Sequence, residues 1–149
     1  AREHITWLRE THPNNAFFHA FEGRLYARWS YWGHAEDVFD SIVERCANDA
    51  PGYTVHMEEM AHYFLARRHL YTDDYDTALR HLAELESLTS RTPDDPRYRV
   101  MGYVYQGMVY DAMGRRDMAV SRYHRVLRME DVWSSHDQAE RYLDTPYGQ

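Results

Sequence analysis

Histidines and carboxylates are the side chains of this sequence with the types and spacing to hold a metal or catalyse a reaction. Glu59 and His62 have the Glu-x2-His spacing that supplies half of a di-iron carboxylate site, and His69 follows two helical turns after His62. A complete site needs a second Glu-x2-His, and the sequence has none. The other histidines lack ligand spacing. We therefore predict packing or surface histidines, with no metal and no cofactor.

Nucleophilic catalysis has little support in the sequence. No Gly-x-Ser-x-Gly segment is present, and the one cysteine, Cys46, lies in a predicted helix where we expect an inert thiol. A lone cysteine also excludes an internal disulfide and a cysteine-based zinc site. We predict no catalytic residue and a protein that is not an enzyme.

Composition excludes several further classes of function. The 149 residues carry 17 basic and 24 acidic side chains, a net charge of -7, which argues against nucleic-acid binding. Every basic residue is arginine, so lysine Schiff-base chemistry and a P-loop are excluded. No apolar run approaches the ~18 residues of a membrane span, and no signal peptide opens the sequence. Hydrophobic residues make up 44%, as in a globular domain.

Apolar residues recur at spacings of three and four between proline- and glycine-containing gaps, which indicates helices. No alternating segment indicates a strand. Gly33 and Gly114 are predicted to end their helices as positive-φ caps. The predicted helices are 2–11, 15–32, 35–48, 55–72, 75–89, 97–113, 115–129 and 135–144.

The helices form repeating pairs. The clearest unit places aromatic residues at Tyr103, Tyr110 and Tyr123 and small residues at Gly107 and Ala119. Gly114 is its turn glycine. This pattern resembles the tetratricopeptide repeat (TPR), in which small residues allow two antiparallel helices to cross closely. A second unit places Ala66, His69, Asp73, Ala78 and Leu82 at matching positions, with aspartate in place of the turn glycine.

A third segment, nearer the start of the chain, matches the repeat pattern more weakly. It aligns Leu25, Trp29, Gly33, Val38 and Ile42, with Tyr26 and Val38 in place of small residues, so we expect this pair to splay. The resemblance implies one all-α domain over 1–149, an α-solenoid of antiparallel helix pairs. Its units are 15–48, 55–89 and 97–129, with a leading helix 2–11 and a trailing helix 135–144. The 40–41-residue spacing exceeds the family's about 34.

The resemblance also implies a function, non-enzymatic binding of a protein or peptide on the concave face. The first helix of each pair lines that face, and the sequence makes it rich in aromatic residues and methionine, which suits a partner-binding groove. Residues 135–144 or another part of the parent protein are the alternative cover for this face. The predicted groove residues are Arg24, Tyr31, Tyr63, Phe64, Arg67, Tyr71, Met101, Tyr105 and Met108.

A second hypothesis is a structural subunit that stacks head to tail into an oligomer or filament. The leading helix has no partner within its own pair, so we expect the chain to be the C-terminal part of a longer bacterial TPR protein. Other copies of the chain would then be the partners. The predicted self-association ends carry Ile5, Trp7 and Leu8 at one end and Val132, Trp133, Tyr142 and Leu143 at the other.

A run of arginines marks the second helix of the last unit. Arg115, Arg122 and Arg125 share a broad face, with Arg116 and Arg128 nearby. Two interpretations stay open, a solvated face or a patch for an acidic partner. The ending Ala139-x2-Tyr142-Leu143 is similar to the close of many envelope-associated bacterial proteins, so the envelope or the exterior is the expected compartment, with the cytoplasm as the alternative.

Overall fold

The computed structural model of the chain describes residues 2–88 and 95–149. Within these ranges the secondary structure is eight α-helices, without a strand, which confirms the all-α prediction. None of these helices combines the length and the apolar character needed to cross a membrane. The helices are α1 Arg2–Thr11, α2 Ala16–Arg28, α3 Trp32–Ala47, α4 Val55–Tyr71, α5 Tyr75–Leu88, α6 Arg97–Ala112, α7 Arg116–Leu127 and α8 Ser135–Asp144.

Most helix ends fall within a few residues of their predicted places, and the first pair differs most. The helix predicted to run to residue 32 ends at Arg28, and the next helix starts at Trp32 rather than at residue 35. The predicted end of the second unit, residue 89, lies outside the described residues, as does most of the predicted loop 89–96. The single-domain assignment and the unit boundaries remain predictions.

The turn of the first pair is formed by Ser30, and the prediction of a Gly33 cap is wrong. Ser30 has φ +62, whereas Gly33 lies inside α3 with nothing within 4 Å of the place where a Cβ would be. Gly114 has φ +73 and lies directly after α6, in the turn that ends this helix, as predicted. Of these two glycines, Gly114 therefore marks a turn and Gly33 does not.

The three turns share one backbone geometry although their residues differ. Ser30, Asp73 and Gly114 all have positive φ, at 62°, 60° and 73°. In each turn the next amide donates back across the helix end: Tyr31 to Tyr26 O (2.9 Å), Asp74 to His69 O (2.9 Å) and Arg115 to Tyr110 O (2.8 Å). This is the Schellman-type bond that satisfies an orphan helix carbonyl. The geometry therefore aligns the repeats independently of glycine.

The aligned turns correct the register of the first predicted repeat, 15–48. Counting back from Ser30 places Gly23 and Ala35 at the small positions and Phe39 at the aromatic position, instead of Tyr26 and Val38. Ala35 and Phe39 are buried, and a Cβ on Gly23 would lie 2.8 Å from Cε1 of Phe39. The first pair is thus closely crossed, because the small residues stand where the helices meet.

The chain comprises two compact units, one ending at Leu65 and the next beginning at Ala66, within α4. In the first unit α2 packs against both α1 and α3. Its core includes Ile5, Ala16, Ala35, Phe39 and Ile42, all buried. Burying such apolar surface is the main stabilising contribution.

In the second unit α6 packs against α5, α7 and α8. Gly102 and Gly107 allow this close approach, because a Cβ at Gly102 would lie 2.9 Å from Leu85 Cδ2 and one at Gly107 would overlap the ring of Tyr123. Tyr123 fills the space left by Gly107 and is fully buried. The prediction that Gly107 marks a helix crossing is confirmed.

A buried carboxylate joins three segments of the second unit. Asp111 on α6 accepts bonds from Arg116 Nη1 (3.0 Å to each oxygen), from the Tyr123 hydroxyl (2.9 Å) and from the backbone N–H of Tyr147 (3.0 Å). Arg116 also donates to the carbonyl of Leu143 at 2.7 Å. Burial, and then the bond to Asp111, raise the pKa of Tyr123 well above its usual value. This network holds the C-terminal segment onto α6 and α7.

Candidate functional site

A stripe of exposed aromatic and basic side chains runs along α2. Phe17, Phe21, Arg24 and Arg28 are spaced by four, three and four residues, so they share one face of the helix. Phe17 is 70% exposed and Phe21 is 40% exposed, and both arginines are exposed. The buried residues His19 and Tyr26 lie on the opposite face of the helix. We call these four residues the α2 stripe.

The two phenylalanines of the stripe form one apolar surface. Their rings stack with centroids 6.3 Å apart and planes inclined by 4°, and Phe18 lies edge-on to Phe17 at 6.0 Å. Large aromatic side chains left in water are unfavourable unless another surface covers them. Paired exposed rings of this kind are typical of the centre of a protein interface.

The arginines of the stripe are unpaired in the part of the chain that the structure describes. Neither the Arg24 nor the Arg28 side chain has a hydrogen bond, an ion pair or a ring contact there. The acid on the same helix, Glu22, is bonded to Arg9 Nε at 2.8 Å. Two guanidinium groups beside the rings are therefore available to a carboxylate, which arginine binds with a fixed fork of donors.

The buried side of α2 is anchored by His19. Its Nδ1 lies 2.8 Å from the Tyr53 hydroxyl, and the guanidinium of Arg45 covers the Tyr53 ring at 5.4 Å. Burial, and then the charges of Arg9 and Arg45, lower the pKa of His19 to about 4. His19 is consequently neutral at physiological pH and acts as a packing group that orients the stripe outward.

In the second unit the predicted groove residues form a smaller cluster around Arg67. Its guanidinium lies 6.0 Å from the ring of Tyr71 and 5.6 Å from the ring of Tyr105, and Nη2 donates to the Tyr71 hydroxyl at 3.4 Å. Tyr71 is exposed and Arg67 is half-buried. The structure thus brings three predicted residues together.

Other predicted groove residues are buried. Met101, Met108 and Tyr63 retain only a few per cent of their surface, and Tyr105 is buried beneath Arg67. Phe64 stacks on Phe39 with centroids 4.8 Å apart and is half-buried. These side chains serve packing in the structure. Arg24 is exposed in the α2 stripe, and Tyr31 is exposed in the turn after α2, edge-on to His34 at 6.5 Å.

The predicted self-association ends are mostly packed inward. Ile5 is buried, Leu8 and Val132 are half-buried, and Tyr142 lies against Tyr123 with centroids 5.7 Å apart. The carbonyl of Leu143 is bonded to Arg116.

Two tryptophans of these ends remain outside. Trp7 is 58% exposed and Trp133 is 48% exposed. Trp133 lies between the guanidinium of Arg97, at 5.3 Å, and the ring of Tyr98, at 5.4 Å.

Sequence analysis missed Phe17, Phe21 and Arg28. In the corrected register they occupy the positions of Met60, Phe64 and Tyr71 in the second predicted repeat (55–89) and of Met101, Tyr105 and Ala112 in the third (97–129). The signal that could have found them was the small residue Gly23, which lies twelve residues before Ala35, as Gly107 lies twelve before Ala119.

The histidines and the cysteine were the side chains considered for metal binding and nucleophilic chemistry. No group of three His, Cys, Asp or Glu side chains among the described residues could hold a metal ion. His56 Nδ1 lies 3.6 Å from a carboxylate oxygen of the buried Glu59. Burial, and then the charge of Glu58, raise the pKa of Cys46 to about 11, so the nucleophilic thiolate is disfavoured.

The helix pairs and their repeated turns define a helical-repeat protein of the α-solenoid class, and comparison with solved structures supports this assignment. The fold is similar to the crystal structure of MamA, with a TM-score of 0.67 and 17% sequence identity over 96% of this chain and 82% of that one. No protein-family model and no curated protein matches the chain. At this identity the likeness establishes the fold alone.

Proposed function

We propose that the protein is a non-enzymatic interaction module that binds a protein or peptide partner on the α2 stripe. The observation that carries this proposal is the stacked, exposed Phe17–Phe21 pair beside two unpaired arginines. A helical-repeat fold of the TPR-like kind suits a scaffold role, because its helices present extended surfaces.

The chemistry of the stripe indicates how it would bind. Phe17 and Phe21 would bury apolar side chains of the partner, and Arg24 and Arg28 would each bind a carboxylate one or two helical turns further along. Aromatic anchors and arginines of this kind contribute most of the free energy at protein interfaces. Arg67 with Tyr71 would form a comparable, smaller contact in the second unit.

Site-specific photo-crosslinking tests this function. A benzoylphenylalanine placed at Phe21 in an otherwise unchanged chain should form a discrete crosslinked species in an extract of the source cells. Adding the charge reversals Arg24→Glu and Arg28→Glu should abolish that species. The same crosslinker at the exposed Asp40 of α3 is the matched control. Equal crosslinking at both positions would contradict the proposal.

Self-assembly is the second candidate function, and the exposed Trp7 and Trp133 favour it. A contact that joins two different surfaces of neighbouring copies would build rings or filaments. Light scattering over a hundredfold concentration range should then show a mass that rises with concentration, and Trp7→Ser with Trp133→Ser should return it to the monomer value. A constant monomer mass for the unmodified chain would exclude this candidate.

A further inference from the structure

One flank of α7 carries two arginines whose guanidinium groups lie over tyrosine rings. The guanidinium of Arg125 lies 4.2 Å from the ring of Tyr103, and that of Arg122 lies 5.7 Å from the ring of Tyr110. A guanidinium held near a ring has already lost part of its conformational freedom, so it loses less on binding an anion. The two side chains are thus preorganised donors.

The donor groups of this flank are incompletely used. Arg122 Nε is buried without a hydrogen-bond partner among the described residues. The side chain of Arg128, one turn beyond Arg125, is exposed and has no hydrogen bond or ion pair there. The acid nearest to Arg125 is Glu86, whose carboxylate lies 3.8 Å away and also accepts bonds from Tyr103 and Gln106. Of the three guanidinium groups of this flank, that of Arg125 alone has an ion pair within the described residues.

Met118 supplies an apolar element to the same flank. It is exposed, and it precedes Arg122 by four residues and Arg125 by seven, which puts all three on one side of the helix. An exposed methionine offers an adaptable apolar contact. The combination suits a protein segment with both carboxylates and apolar side chains better than it suits a nucleic-acid backbone, which offers phosphates alone.

We propose that this flank, formed by Met118, Arg122, Arg125 and Arg128, is a second interaction surface that binds an acidic segment of a partner protein. The surface is distinct from the α2 stripe, so a chain that uses both could bridge two partners. The carboxylates of the acidic partner segment would replace or join Glu86 as acceptors for Arg122 and Arg125. Charge complementarity is the main argument, since a positive flank on a chain of net charge -7 attracts acidic groups locally.

Fluorescence anisotropy with a labelled synthetic peptide that alternates glutamate with leucine tests the proposal. The full chain should bind this peptide, and binding should weaken as salt rises from about 0.05 to about 0.3 M, because exposed charges are screened. The double substitution Arg122→Gln with Arg125→Gln should weaken binding by about tenfold or more. Glu86→Gln should tighten binding by about threefold, because it removes a competing carboxylate.

Matched controls separate this surface from others. Arg141→Gln removes another ring-stacked arginine, 5.3 Å from the Tyr142 ring, and should leave binding unchanged. Phe17→Ser with Phe21→Ser should also leave it unchanged, so failure of the α2 stripe proposal would not affect this one. Circular dichroism should show that the variants remain folded.

Several outcomes would overturn the proposal. Equal affinity for a peptide in which glutamine replaces glutamate would show that carboxylates are not recognised. Heparin binding as tight as peptide binding would assign the flank to any polyanion. An affinity that the Arg122 and Arg125 substitutions leave unchanged would place the peptide elsewhere.

Discussion

At the scale of single residues, the burial of His19 is favourable only while its imidazole is neutral. Desolvation is the largest cause of its lowered pKa, about 4 against 6.5 in a free side chain. The unfolded chain therefore binds a proton more readily than the folded chain between these two pH values. Stability from this residue is fully present above about pH 6.5 and is lost as the pH falls towards 4.

Urea unfolding at a series of pH values should reveal this loss. Between pH 7 and pH 4 we expect His19 to account for on the order of 2 kcal/mol of lost stability, after allowance for solvent screening. His19→Gln should flatten that part of the profile. Tyr53→Phe should cost about 1 kcal/mol at pH 7, because it removes the hydroxyl that lies 2.8 Å from Nδ1. An unchanged profile in His19→Gln would refute the assignment.

Two glycines with different surroundings test the helix crossings. Gly107→Ala should lower the free energy of unfolding by about 1–3 kcal/mol, because its Cβ would overlap the ring of Tyr123. Gly33→Ala should leave it unchanged or raise it by up to about 1 kcal/mol, since its site is open and helical. Chemical denaturation of both variants checks this, and equal effects would contradict the described crossing.

At the scale of helices, sequence patterns predicted where most elements lie because apolar spacing and proline or glycine gaps act locally. α1 and α8 have the predicted limits, and α6 begins at the predicted residue. The first pair was misaligned because Gly33 looked like a turn glycine, whereas Ser30 takes the positive φ. A serine in this conformation carries no sequence signature, so only the backbone geometry identifies the turn.

The shared turn geometry leads to a prediction for its residues. Ser30→Gly should raise the free energy of unfolding by up to about 1 kcal/mol, since glycine adopts positive φ without strain. Gly114→Ala should lower it by about 1 kcal/mol for the same reason. Thermal unfolding of both variants is the measurement. A destabilised Ser30→Gly would mean that the serine side chain contributes more than the backbone strain costs.

The attachment of the C-terminal segment depends on a buried carboxylate. Asp111→Ala should cost about 3 kcal/mol or more, because it leaves the buried Tyr123 hydroxyl without its acceptor and the Arg116 guanidinium without its ion-pair partner. Glu86→Ala is the matched control, since Glu86 also accepts from a tyrosine but is 43% exposed, and it should cost at most about 1 kcal/mol. Equal costs in denaturant titrations would contradict this distinction.

At the scale of the whole molecule, the sequence located the helices that carry the candidate surfaces better than the surfaces themselves. The aromatic and methionine positions of α4 and α6 were identified, but Met101, Tyr105 and Met108 are buried. Apolar residues look the same in a sequence whether a partner or the chain itself covers them. The exposed residues at the equivalent repeat positions, Phe17 and Phe21, lie in the first repeat, whose register was predicted wrongly.

Quantitative affinity capture tests the central claim that the α2 stripe binds a protein partner. Proteins from the source cells would be retained on the immobilised chain and on the variant Phe17→Ser, Phe21→Ser, Arg24→Ser, and counted by mass spectrometry. A chain with Asp37→Ser and Asp40→Ser, on the exposed side of α3, is the control. We expect a discrete set of proteins that the unmodified chain and the control retain and the stripe variant loses. Equal retention by a folded stripe variant would contradict the claim.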